Sequence, residues 1–258
     1  MTISNSTISG NGAGGGKNNI PGSGGGISGG GTITNCTISG NSVFGSPLKG
    51  PGLGGGIRAG TVTISNSTLS DNYCLFYGLG GGIYCGGTLT IEKSTLSNNS
   101  ATQGGRIYNE GSIGIGNTVL NRGDASGENV FNNGGTITSA GYNLSSDDGG
   151  GVLNGPGDLI NTDPLLGPLQ DNGGPTFTHE LHPGSPAVDA GDPNFTPPPF
   201  YDQRGPDFWR VRNNRIDIGS FEVQNGPALT PTPTPTPTPR PGSTPRARPT
   251  PRLRPTPR

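Results

Sequence analysis

The stretch Thr2–Asn11 reads TISNSTISGN, and the chain writes it again as TITNCTISGN from Thr32, TISNSTLSDN from Thr63 and TIEKSTLSNN from Thr90. Registered on their final asparagines, Asn11, Asn41, Asn72 and Asn99, the copies are 30, 31 and 27 residues apart. A second marker, Gly-Gly-Gly-Ile, ends at Ile27, Ile57 and Ile83 and returns as GGRI ending at Ile107. Periods of about 20 to 50 residues belong to stacked solenoids rather than closed globules.

Within a unit the apolar residues come in short beats, as in Ile57, then Val62 and Ile64, then Leu69, with Thr and Ser between them. That alternation has the two-residue period of a strand with one face buried. No stretch carries an apolar stripe at helical spacing, and glycine and β-branched residues disfavour helix throughout. The reading is an all-β chain wound as a parallel β-helix with about three strands per coil, its corners made by Gly, Asn and Ser. Stacking then explains the repetition, because each side chain sits over its counterpart in the neighbouring coil. Ile3, Ile33, Ile64 and Ile91 are expected to form one inward column, and Ile8, Ile38, Leu69 and Leu96 another, with Thr63 facing out. Asn11, Asn41, Asn72 and Asn99 are expected at a turn, in left-handed geometry, as a ladder of paired amides.

Composition narrows the class. The 258 residues include Gly 50 and Pro 26, with 27% hydrophobic and 13% charged residues. Glycine in such excess without a Gly-X-Y period excludes collagen, and so few charges separate the body from chains kept disordered by charge. Of the 16 basic residues, six arginines follow Glu222, whereas all 17 acidic residues lie at or before it, leaving the body at −7 and the tail at +6. An acidic body opposes a nucleic-acid groove, which needs clustered Lys and Arg. No apolar run approaches the roughly 18 residues of a membrane-spanning helix. Met1 opens inside a repeat, so an export signal and a capping coil are expected upstream, and the open first coil is expected to self-associate along its unpaired edge. Cys36, Cys74 and Cys85 lack metal-ligand spacing; a Cys74–Cys85 disulfide is left open.

Three segments follow: repeats over 1–140, final coils and a capping region over 141–225, and a Pro/Thr/Arg-rich tail over 226–258. Thr230 to Pro239 alternates Thr and Pro. Such a tail has no core to bury, is expected to be disordered with polyproline II character, and spans about 3.1 Å per residue as a stalk.

The repeat TISNSTISGN…GGGI resembles the right-handed parallel β-helix proteins of the pectate-lyase-like superfamily, especially those with polymorphic outer-membrane-protein-type repeats. The segments GTITSAGYNL, GPGDLINTDPLLGPLQDNGGPTFTHELHPGSPAVDAGD, DQRG and DIGSFE are similar to the C-terminal region of bacterial choice-of-anchor Q proteins. The resemblance implies a right-handed coil and an exported, surface-attached bacterial protein. Extracellular polysaccharide or a host or neighbouring cell surface is then the expected partner.

Because that superfamily includes pectin-degrading enzymes, catalytic groups are sought. Asp147-Asp148 and Asn161-Thr162-Asp163 resemble the DD and NTD motifs of polygalacturonases, in reversed order and without the basic motifs that follow them. His179 and His182 are three apart and followed by Pro183, which does not make a zinc-peptidase helix, and they are read as part of a turn before the terminal strand. The Gly runs lack the Asp of calcium-binding turns. No catalytic, cofactor or metal residue is therefore assigned. Among Asp189, Asp192, Asp202, Asp217 and Glu222, Arg204 is expected to pair with one acid and seal the open end of the helix, with Asp202, Arg204 and Asp217 as the structural cap, since solenoids need an atypical terminal repeat; an ion or ligand site is the alternative reading of the same acids. Tyr73, Tyr77, Tyr84 and Trp209 are the candidate glycan contacts, offering aromatic faces to sugar rings. The expected function is a non-catalytic, surface-displayed or secreted binding module, with a carbohydrate-active β-helix as the alternative.

Overall fold

The computed structural model describes residues 1–14 and 21–224; the Pro/Thr/Arg-rich tail lies outside the described residues. The chain is a right-handed parallel β-helix of about 5 turns. The main sheet stacks Thr2–Ser4, Ile27–Thr34, Ile57–Ser65 and Ile83–Glu92, then the pairs Ile107–Asn109/Ser112–Gly116 and Val130–Asn132/Thr136–Gly141. A second sheet stacks Thr7–Ser9, Thr37–Ser39, Thr68–Ser70, Thr95–Ser97, Val119–Asn121 and Leu144–Ser145. A third holds only Gly12–Ala13, Ser42–Phe44 and Tyr73–Leu75.

The first two apolar beats of a middle coil are therefore one bent strand, not two. In the central coils no left-handed residue breaks the chain between Ile57 and Ser65; a register irregularity at Cys85/Thr88 absorbs the bend instead. Ile3 pairs with Ile33, Ile33 with Ile64, and Ile64 with Ile91. On the facing sheet Ile8, Ile38, Leu69 and Leu96 are likewise in register. The two columns meet in one core cluster, while Thr63 is exposed, as its outward place requires.

Each corner has its own chemistry. Between the main and second sheets the left-handed residue is Asn5, Asn35, Asn66, Lys93 or Asn117, and the next residue bonds back two positions, as Ser67 Oγ does to the Ser65 carbonyl at 2.7 Å. At the glycine marker, Gly54 has φ +68°, and a Cβ on Gly55 would lie 2.4 Å from the Gly81 carbonyl oxygen of the next coil and 2.6–2.7 Å from the Tyr73 backbone, so it would force them apart. That close approach explains the conserved-looking run within this one chain.

The asparagine ladder is present with one correction. Asn11 Nδ2 donates to Asn41 Oδ1 at 2.9 Å, Asn41 to Asn72 at 2.9 Å and Asn72 to Asn99 at 2.8 Å. Positive φ falls not on these asparagines but on the residue before each, Gly10, Gly40, Asp71 and Asn98, which turns the chain so that the amide points inward. Past Asn99 the ladder lapses and Arg106, the odd residue of GGRI, fills the corner: it is 0% exposed and donates to the carbonyls of Asn99, Gly127 and Asn121. Burial draws its pKa down to about 10.

Asn72→Ala removes the acceptor of the Asn41 backbone N–H and of one of the two Asn41 amide hydrogens, the other staying on the Ile8 carbonyl, and the amide donor to the Ile38 carbonyl. At about 1–3 kcal/mol per orphaned buried group, a loss of about 3–5 kcal/mol is expected in urea unfolding. Asn11→Ala, at an exposed rung, is expected to cost under about 1 kcal/mol; equal losses at both positions count against the ladder as a stabilising device.

Candidate functional site

From Pro164 onward the chain leaves the coils, forms an antiparallel pair, Leu166–Gln170 with Thr178–Leu181, and lies against the second sheet as a strap. The outward hydroxyls of that sheet hold it. Gln203 Nε2 donates to Thr37 at 3.0 Å while Thr68 donates to Gln203 Oε1 at 2.6 Å. Ser220 bonds Thr68 and Thr95, and His179 bridges Ser70 and the Gly167 carbonyl. His179 thus sits on a strand rather than in a turn, and burial draws its imidazole below the usual range.

Arg204 pairs with Asp202 at 2.5 Å, both nearly fully buried, between the rings of Phe208 and Phe221 at 3.9 and 3.8 Å. Asp217 accepts from the backbone of Asp189 and Val223, each at 2.7 Å. Arg204 and Asp202 thus pair with each other while Asp217 lies apart from them, against backbone of Asp189 and Val223, and it is the neighbouring Gln203 and Ser220 that bond to the second sheet. The reason is geometric: the Thr and Ser of the second sheet offer a hydroxyl row along the axis. Burial pushes Asp217 up to about 6 and Glu222 up to about 9. Glu222 Oε1 and two nitrogens of the fully buried Arg210 have no partner.

With that flank occupied, the corner between the third and main sheets stays open. Strand Tyr73–Leu75 runs into Phe76 and Tyr77, which take two successive left-handed conformations (φ 55° and 60°) and are 60% and 63% exposed. Left-handed geometry costs a non-glycine residue about 1–3 kcal/mol, and Asn-Gly is the usual pair where two such residues follow one another. The turn borders a groove of about 360 Å³ that crosses three coils, lined by Pro47 and Pro51, then Tyr77 and Leu79, then Gln103 and Tyr108. Tyr108 of this lining belongs to a cross-coil stack: Tyr84 on Tyr108 at 5.6 Å and Tyr108 on Phe131 at 5.4 Å. The hydroxyls of Tyr84 and Tyr108 both donate to Glu110, and burial, then that bond, pushes Tyr84 up to about 12.

The four aromatic candidates are not gathered in one place. Tyr77 lines the groove, Tyr84 is buried and stacked on Tyr108, and Tyr73 stands half-buried on the third sheet. Trp209 packs on Tyr201 at 5.0 Å, beside Asn66 at another corner. Phe76, in the same DNYCLFYGLGGG insertion as Tyr73 and Tyr77, is exposed beside Tyr77 as its place among the exposed aromatics of the sequence implies, whereas the 89%-exposed Leu48 carried no sequence signal.

The two polygalacturonase-like motifs run side by side, the Asn161 N–H donating to the Asp147 carbonyl at 2.7 Å, but their acids hold different partners. Asp147 accepts from Asn129, Ser145 and Gly149, and Asp148 from Gly150, so both close turns. Asp163 instead lies in a polar cleft of about 510 Å³ with Arg122, Asp124, Leu165 and His182, between the end of the second sheet and the strap. These residues share no motif, and no sequence signal joined them. Among the described residues no group of three or more His, Cys, Asp or Glu is placed to hold a metal ion, and no helix is long and apolar enough to cross a membrane. Cys74 and Cys85 are free, buried in separate clusters. Comparison of the chain with protein-family models, with curated proteins and with solved structures finds no match to any of the three.

Proposed function

We propose that this chain is a non-catalytic extracellular binding rod, displayed on or secreted from a bacterial cell, that engages cell-envelope, matrix or neighbouring-cell material at its aromatic corner. One observation carries the reading: two exposed aromatic residues are held in a costly left-handed turn above an apolar groove, where Asn-Gly is the cheaper choice. The ground for an extracellular, stalked location is the resemblance to surface-attached β-helix proteins of the choice-of-anchor Q and polymorphic outer-membrane-protein types, together with the Thr-Pro tail.

The test separates binding from folding. Tyr77→Gly is expected to raise stability by about 1 kcal/mol, by relieving φ +60°, while weakening retention on an immobilised ligand by at least about tenfold. Purified full-length protein is screened against bacterial envelope fractions and a polysaccharide panel. A variant that is more stable and binds as well as the parent removes the turn from the function.

The polar cleft favours a second reading, a carbohydrate-active β-helix. Asp124, Asp163, Arg122 and His182 lie together in it, and paired carboxylates are the glycosidase device. Depolymerisation of pectin, alginate or glycosaminoglycan that is abolished by Asp124→Asn or Asp163→Asn establishes that reading; intact polymer in every assay rejects it.

A further inference from the structure

We infer that the aromatic groove is a reader of polyproline-type segments and that its occupant is the chain's own Thr230–Pro239. The inference rests on the reading of this groove as a binding site and adds the chemistry of what it binds.

The lining excludes some ligands and favours others. Pro47, Pro51, Tyr77, Leu79 and Tyr108 make it mainly apolar; Ser46, Thr102 and Gln103 supply the few polar side chains, and no charged residue lines it. A sugar chain presents a hydroxyl at nearly every ring position and leaves most of them without partners in such a groove. A proline-rich segment presents the opposite surface, with flat apolar rings and backbone carbonyls that have no internal partner. An aromatic face that receives a proline ring, beside a few donors for the carbonyls, is the recurrent way of recognising polyproline II; here the exposed Tyr77 supplies the face, while Tyr108, stacked on both sides, offers its edge. Gln103 and Thr102 are donors of that kind. The groove crosses three coils, about 10 Å at about 4.8 Å per step, which seats three to four residues at about 3.1 Å each.

The sequence supplies the matching segment. Thr230 to Pro239 places proline at every second position, and the arginines after it face a body of net charge −7. The described chain ends at Gln224, which is bonded to Arg212 and to the Trp209 carbonyl. Trp209 packs at a tilt against Tyr201, whose carbonyl is bonded by Asn66 in the same coil as Tyr77. The groove therefore lies at the height of the tail's origin, across the rod. Fifteen residues from Gln224 to Pro239 span about 45 Å, enough to pass around one side. Tethering holds the segment at an effective concentration near millimolar, so even a weak site is filled.

The test uses the full-length chain with the photo-crosslinker p-benzoylphenylalanine in place of Leu48, the exposed residue at the groove's rim. Expected is a crosslink to peptides from Thr230–Pro239 within the monomer, in a yield independent of protein concentration. Tyr77→Gly, or Pro233→Ala with Pro237→Ala, is expected to lower that yield at least fivefold. In the tail variant, where the groove is vacant, a synthetic (Thr-Pro)5 peptide is expected to bind in the 10–1,000 μM range usual for weak tethered sites. Crosslinks only between chains, rising with concentration, overturn the intramolecular assignment. No tail crosslink and no peptide binding overturn the proposal. Envelope or polysaccharide material that still binds through Tyr77 in that case leaves the binding-rod reading intact, whereas a groove that retains no ligand at all removes both.

Discussion

Ile64→Asp is expected to unfold the central coils. Ile64 is 0% exposed, between Ile33 and Ile91 in the same column and within the core that the facing column completes. Removing a buried isoleucine side chain alone costs about 2–5 kcal/mol, and the carboxylate adds the cost of a polar or charged group with no partner in a dry stack. A total of at least about 5 kcal/mol matches or exceeds the stability of many domains. Because a solenoid coil is held only by its neighbours, the loss spreads to the coils of Ile33 and Ile91. Thr63→Asp, one residue away and exposed, is expected to stay within about 0.5 kcal/mol of the parent. Circular dichroism and urea titration of the pair decide it; two equally harmless substitutions contradict the inward register.

Stability is expected to fall as pH rises from about 5 to 9. Glu222 rises from 4.5 to about 9 and Asp217 from 3.8 to about 6 on folding, chiefly through burial, with each acid raised further by acidic neighbours. Both are acids whose folded pKa lies above the unfolded one. Above the unfolded value the unfolded chain gains by ionising, while the folded chain stays protonated until the higher pKa. The stabilising protonated form is thus fully retained below about pH 4 and lost as pH climbs through 6 for Asp217 and 9 for Glu222. The shifts correspond to several kcal/mol across that window. Asp189, Asp202 and Arg210 are the other charged groups facing this cluster. Glu222→Gln keeps the shape without the charge, so it is expected to raise the melting temperature at pH 8, leave it little changed at pH 5, and flatten the slope. A parent protein that becomes more stable toward pH 9, or a Gln variant less stable at pH 8, shows Glu222 to be ionised and paired.

The strap's attachment makes this effect a flank event. Gln203, Ser220 and His179 hold the strap to hydroxyls of the second sheet, so ionising Glu222 weakens the strap before the coils. Hydrogen exchange at pH 8 is expected to show faster opening around Ile218 than around Ile64.

What the sequence by itself determined is what a stacked coil repeats. Parallel coils place residue i against its copy about 30 residues on, so the Ile64 column, the Asn72 ladder and the glycine corners each left a periodic trace. The same periodicity made Thr63 outward and Ile64 inward. Local turn geometry was only half legible, because side chains name the corner but not which of two adjacent residues takes positive φ: Asp71 does, and Asn72 does not. Tertiary structure alone decided the rest. Thr37 meets Gln203 across 166 residues, and Asp124 shares a cleft with Asp163 and His182; neither contact recurs, so no period records it. The pKa of Glu222 and the lining of the groove belong to the same class, since burial by a distant segment leaves no mark on the residues it covers.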